Sequence, residues 1–189
     1  MVGQPVALVP FSSVDRSALR WIRSTADPPD FILSAGDQPL AVLRMPKPSH
    51  ATVETAEGIW FLERRGFLNP HVTLHAAETG PALAQVTVHL NYHSIEFAGG
   101  ARYRFHRAGL LVPAWQITNA DGKEVVHLEP VRETRRLEGA AVLVSPLGAG
   151  TADLPALLAL SWFFVVLAWF EDEAMIPLEG PNAPPDPAP

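Results

Sequence analysis

The chain contains no cysteine. That absence excludes disulfides, thiolate metal sites, cysteine nucleophiles and every thiol-linked lipid anchor, and it favours a reducing, cytoplasmic setting. Lysine is nearly missing too: of 14 basic residues only Lys47 and Lys123 are lysine. Beside many Ala and Pro residues, that arginine bias is what a GC-rich coding sequence produces. There is no G-x-S-x-G, H-E-x-x-H, P-loop or dinucleotide fingerprint anywhere in the sequence. The expectation is therefore a non-catalytic binding chain that needs no cofactor. Positive charge is also short: the formal net charge is −6, and residues 141–189 carry acids with no Lys or Arg. A nucleic-acid partner is not expected of such a charge pattern. Met1–Pro10 lacks the basic start of a secretory signal, and Gly3 stands one place too late for myristoylation.

At 189 residues the length suits one domain with a sizeable core. Val14, Ala18, Trp21 and Ile22 recur at helical spacing, and Ser12 with Asp15 resembles a capping box, so residues 1–30 read as an extension with a short amphipathic helix between Ser12 and Thr25. Asp27-Pro28-Pro29-Asp30 breaks the chain, and the proline-rich stretch 175–189 reads as a disordered tail. Between Phe31 and Pro146 short apolar alternations separated by turn residues predict an antiparallel barrel or sandwich. Val72, Leu74, Ala84, Val86, Val88 and Leu90 share one parity around a Thr79-Gly80-Pro81 turn. A two-residue turn at Asp121-Gly122 would pair Ile117 with Val126 and Trp115 with Leu128. Ile95, Phe97, Tyr103 and Phe105 reach one face only if the Gly99-Gly100 connection has odd length or a bulge.

The longest apolar run is Leu154–Phe170, interrupted only by Ser161 and stopped by Glu171-Asp172-Glu173. As a helix it would be about 25 Å long, the lower limit for a membrane span. Arg132, Arg135 and Arg136 before it would orient it as the anchor of a tail-anchored protein with a cytoplasmic β-domain. Buried in protein instead, a helix apolar on every side must be surrounded completely. Asp153 at the N-cap and Pro155 in the first turn give it a sharp start, and the acids at its end oppose the helix dipole and are expected to emerge into water at the barrel mouth.

Many short strands followed by one all-apolar C-terminal helix, carried by "EGIWFLERRGFLNPHVTLH", "GGARYRF", "AWQITNADGKEVVHL" and "LPALLALSWFFVVLAWFEDEA", resemble the tubby C-terminal-like superfamily, which includes the phospholipid scramblases and LURP-one-related proteins. The resemblance implies a mainly β fold over residues 31–174: a closed antiparallel β-barrel wrapped around a central hydrophobic helix at 154–170. It also implies association with anionic phospholipid or a membrane surface, peripheral and on the cytoplasmic side.

Arginine is the residue for phosphate, and Arg102, Arg104 and Arg107, with Arg64 and Arg65, are the candidate anion and lipid ligands. Against them, Glu96 across the hairpin from Arg104 offers a local ion pair. His71, His75 and His89 are weak metal candidates, because a turn at Thr79-Gly80 would set His71 opposite His89, yet no carboxylate or cysteine completes a zinc set. A small enzyme with an unrecognised or metal site is the third reading. Gly148–Asp153 reads as a flexible connection.

Overall fold

The computed structural model describes residues 7–26, 28–66, 70–109, 114–133 and 136–174. After a 3₁₀ turn at Phe11–Ser13 come twelve strands: β1 (Ala18–Arg23), β2 (Phe31–Ala35), β3 (Gln38–Lys47), β4 (His50–Thr55), β5 (Gly58–Arg65), β6 (His71–His75), β7 (Ala82–Val88), β8 (Tyr92–Phe97), β9 (Arg102–Ala108), β10 (Ala114–Asn119), β11 (Glu124–Glu133) and β12 (Arg136–Val144). Two helices follow, α1 (Pro146–Ala149) and α2 (Leu154–Ala174). Each strand pairs antiparallel with its neighbours in sequence, and β1 pairs with β12, which closes the sheet into an up-and-down barrel. Closure removes every sheet edge.

Alternation along the strands decides what faces inward. Ala51 and Val53, Val72 and Leu74, Ala84 and Val86, and Ile95 and Phe97 are buried, while Arg44, Glu54, Glu96 and Arg102 stand on the outer face. An apolar interior with charges outside reverses the polarity of a transmembrane barrel.

Within α2, every residue from Leu154 to Phe170 is buried except Pro155, Ala168 and Phe170, which are half-buried. Trp162 stacks on Trp21 of β1 at 5.6 Å and meets Phe31 of β2 edge-on at 5.3 Å. Phe164, two residues on, meets His93 of β8 at 4.4 Å and Phe105 of β9 at 6.0 Å. Those strands lie on opposite sides of the closed sheet, so α2 runs between the walls and its side chains fill the core. The hydroxyl of Ser161, which interrupts the run, donates to the Leu158 carbonyl at 3.0 Å. Among the described residues no helix is long and apolar enough to cross a membrane.

Several local expectations are corrected. The amphipathic helix expected between Ser12 and Thr25 is instead the 3₁₀ turn and β1, in which Leu19 and Trp21 point inward and Arg20 and Ile22 outward. Asp15 accepts from the Ser17 backbone N–H at 2.9 Å, a turn rather than a capping box. β1 is a stave of the barrel, which therefore starts upstream of Phe31. The Asp121-Gly122 hairpin does pair Ile117 with Val126 and Trp115 with Leu128, but Thr118 pairs with Glu124, so the connection is longer and a bulge at Val125 restores the register. Ile95 lies opposite Tyr103 across the odd-length connection Ala98–Gly100, where Gly100 has φ +87°. Leu90 is 98% exposed and leaves the apolar face assigned to it. Residues 148–153 are built rather than loose: Ser145 caps α1 by accepting from Gly148 N–H at 3.1 Å, and a Cβ on Gly148 would lie 2.2 Å from the Val125 carbonyl oxygen. Asp27, Arg135 and the tail 175–189 lie outside the described residues, as do the side chains of Glu171–Glu173.

The Trp162 indole N–H has no hydrogen-bond partner, so the residue acts through its shape. Trp162→Ala is expected to cost about 3–5 kcal/mol in urea unfolding, whereas Trp162→Phe, which removes the unpaired donor, costs far less.

Candidate anion-binding surface

Because the barrel is an antiparallel meander, odd-numbered strands run from one rim to the other and even-numbered strands return. Two contacts assign the rims to the ends of α2. At the start of β9, the Tyr103 hydroxyl donates to Asp153, just before the helix, at 3.2 Å. At the end of β1, the Arg23 guanidinium lies 5.7 Å from the centre of the Trp169 ring near the helix end.

Charge divides between these rims. In the last two residues of each strand and the connections at the helix-exit rim, the described basic residues are Arg23, Lys47, Arg64, Arg65, Arg107, Arg132 and Arg136, against the acids Asp30 and Glu133. The same positions at the helix-entry rim hold Asp15, Asp37, Glu54, Glu57, Glu78, Glu96, Asp121, Glu124 and Asp153, against Arg16, Arg102 and Lys123. Among the described residues one end of the barrel is basic and the other acidic. α2 leaves through the basic rim, carrying the negative end of its dipole.

The five candidate arginines are therefore split. Arg64 and Arg65 at the end of β5 and Arg107 at the end of β9 lie on the helix-exit rim, four strands apart, and Arg102 lies on the opposite rim. Arg102, not Arg104, pairs with Glu96, at 2.9 Å. Arg104 sits opposite Ser94 and stacks over Tyr92 at 4.8 Å, and Tyr92 in turn stacks on His89 at 4.4 Å. Ser94, Arg102, Arg104, Thr118 and Asn119 line an outer-face cleft of about 510 Å³. On the other side of the barrel, Arg65 pairs with Glu63 at 2.8 Å, which holds that carboxyl below its usual range.

The histidines do not converge. His71 sits opposite Thr87 rather than His89, His75 contacts the Gly80 carbonyl at 3.0 Å, and His89 contacts the Ser94 hydroxyl at 3.3 Å. The hairpin connection is two residues tighter in register than the sequence suggested. Among the described residues no three His, Cys, Asp or Glu side chains are grouped to hold a metal ion. Rim polarity was missed in the sequence, although a signal exists: in a meander, alternate turns share a rim, and here most of the basic residues at strand ends fall on one set of turns and most of the acids on the other.

Comparison with known proteins yields no family model, curated protein or solved structure that matches this chain.

Burial, and after it the charge of Asp153, pushes the Tyr103 phenol above its ordinary value. A phenol that holds its proton more tightly folded than unfolded adds stability that is complete below the unfolded pKa of about 10. That stability is lost as the pH climbs through the higher folded value. Urea unfolding followed from roughly pH 9 to 11 should show stability falling with pH, and Tyr103→Phe should flatten part of that slope.

Proposed function

We propose that this chain is a tubby C-terminal-like binding domain, a barrel closed around its hydrophobic helix, which docks on anionic phospholipid at the cytoplasmic face of a membrane. The observation that carries the reading is the segregation of charge: the rim where α2 ends gathers Arg64, Arg65 and Arg107 with four further cations, and the opposite rim is acidic. A barrel polarised in this way is oriented by a negative surface, because one end is drawn to it and the other repelled. Arg136–Glu138, at 3.2 Å, is a solvent-facing pair that holds its partner weakly and exchanges for phosphate at little cost. Leu90, 98% exposed in the β7–β8 turn on the same rim, supplies an apolar tip to enter the headgroup layer, with Tyr92 beside it as an interfacial aromatic.

Sedimentation with phosphatidylcholine vesicles, with and without phosphatidylserine, tests the reading. Binding is expected only with the anionic lipid and should weaken as salt rises. Each of Arg64→Ala, Arg65→Ala and Arg107→Ala should cost about fivefold, since a basic residue near such a surface contributes about 1 kcal/mol, while Arg102→Ala on the opposite rim leaves binding unchanged. Equal binding to both vesicles, or a loss confined to Arg102→Ala, contradicts the reading.

A further inference from the structure

A second cleft, of about 380 Å³, lies on the outer face of β4, β5 and β6 and is bordered by Pro46, His50, Phe61, Glu63, Arg65 and His75. At its edge three side chains form a relay. The Ser49 hydroxyl, in the β3–β4 turn, is 2.8 Å from Nδ1 of His50, and Nε2 of His50 is 3.6 Å from Oε1 of Glu63. Glu63 is fixed from its other oxygen by Arg65, at 2.8 Å. A carboxylate only accepts, so the His50 tautomer with Nε2–H on the Glu63 side, at ion-pair rather than hydrogen-bond distance, leaves the Nδ1 lone pair to the Ser49 O–H. A hydroxyl nucleophile, a base within hydrogen-bond reach and a third group that sets the base's tautomer are the parts of an activated serine.

We infer that Ser49, His50 and Glu63 constitute a nucleophilic serine site that hydrolyses carboxylic esters with a short apolar acyl group. This goes beyond the lipid-binding reading and does not rest on it. The acyl group lies over Phe61 and Pro46, in the apolar part of the cleft wall, which Arg65 also lines. Ser49 Oγ bonds to the acyl carbon as its proton passes to His50 Nδ1 and the carbonyl π electrons move onto oxygen. Collapse of that adduct breaks the ester C–O bond, and the departing alkoxide takes the proton from His50. Water then adds to the acyl-serine, His50 accepts the water proton, and the Ser49 oxygen leaves and takes that proton, releasing the carboxylic acid. No oxidant, reductant or metal enters the balance. The relay is invisible to serine-hydrolase motifs because it is built from one hairpin turn and the neighbouring strand, not from a strand-to-helix elbow.

The full chain is incubated with a fluorophosphonate probe, the modified residue is located by mass spectrometry, and p-nitrophenyl butyrate hydrolysis is followed in parallel. Labelling at Ser49 is expected, with hydrolysis reduced roughly 10²-fold or more in both Ser49→Ala and His50→Gln, each checked by circular dichroism for an unchanged fold. An unlabelled chain, labelling or hydrolysis that survives Ser49→Ala, or a His50→Gln variant as active as the parent overturns the site. Vesicle binding is unaffected by either variant, so failure here is separable from failure of the lipid reading.

Discussion

A helix that is apolar on every face has no side it can show to water, and the rest of this structure follows from that constraint. Leu154–Phe170 carries Trp162, Phe163, Phe164 and Trp169, which point in different directions around the helix and are all buried. A packed layer on one side would leave half of them wet. A closed antiparallel sheet covers all of them at once, and each large side chain so buried contributes about 1.5–3 kcal/mol. The strands bear the imprint of the helix. Trp21 and Phe31 meet Trp162 on one wall, and His93 and Phe105 meet Phe164 on the other. Close approach is needed as well: a Cβ on Gly139, at φ +157°, would fall 2.0 Å from the Trp21 carbonyl oxygen, so β12 can lie against β1 there only with glycine.

Filling the centre of the barrel with helix side chains moves chemistry to the rims and the outer face. The clefts at Arg102 and Arg104, and at His50 and Glu63, both lie outside the wall. The rims differ because the helix passes from one to the other. It starts beside Asp153 and Tyr103 among acids and ends among cations, which suit the negative end of its dipole. The charge that balances the helix end inside the protein is the same charge that gives the barrel an orientation toward an anionic surface.

The closed mainly β fold with its buried C-terminal helix was legible in the sequence because two periodicities spoke clearly. The run from Leu154 has no polar face, and the strands from Phe31 onward alternate. The β8–β9 connection was legible through a conflict, since Ile95 and Tyr103 share a face only across an odd number of residues. Residues Ser12–Thr25 were misread because Val14, Ala18, Trp21 and Ile22 fit a helical stripe while Leu19 and Trp21 also fit strand alternation; the barrel, which needs a stave between β12 and β2, decides for the strand. The bulge at Val125 was hidden because Val125 and Val126 are both apolar and either could face inward. Of the candidate site, arginine identities were visible but their grouping was not, because which arginines share a rim depends on strand direction, and the His50–Glu63 contact joins two strands whose register the sequence left open.

The most direct test of the central claim removes the helix. The full chain of 189 residues and a chain stopped after Gly150 are expressed without detergent and compared by circular dichroism and urea unfolding. If α2 is the core, the full chain gives a β spectrum with one cooperative transition, and the shortened chain loses both. A shortened chain that keeps the β spectrum and unfolds cooperatively would mean the barrel stands without its helix, and the dependence argued above would be wrong.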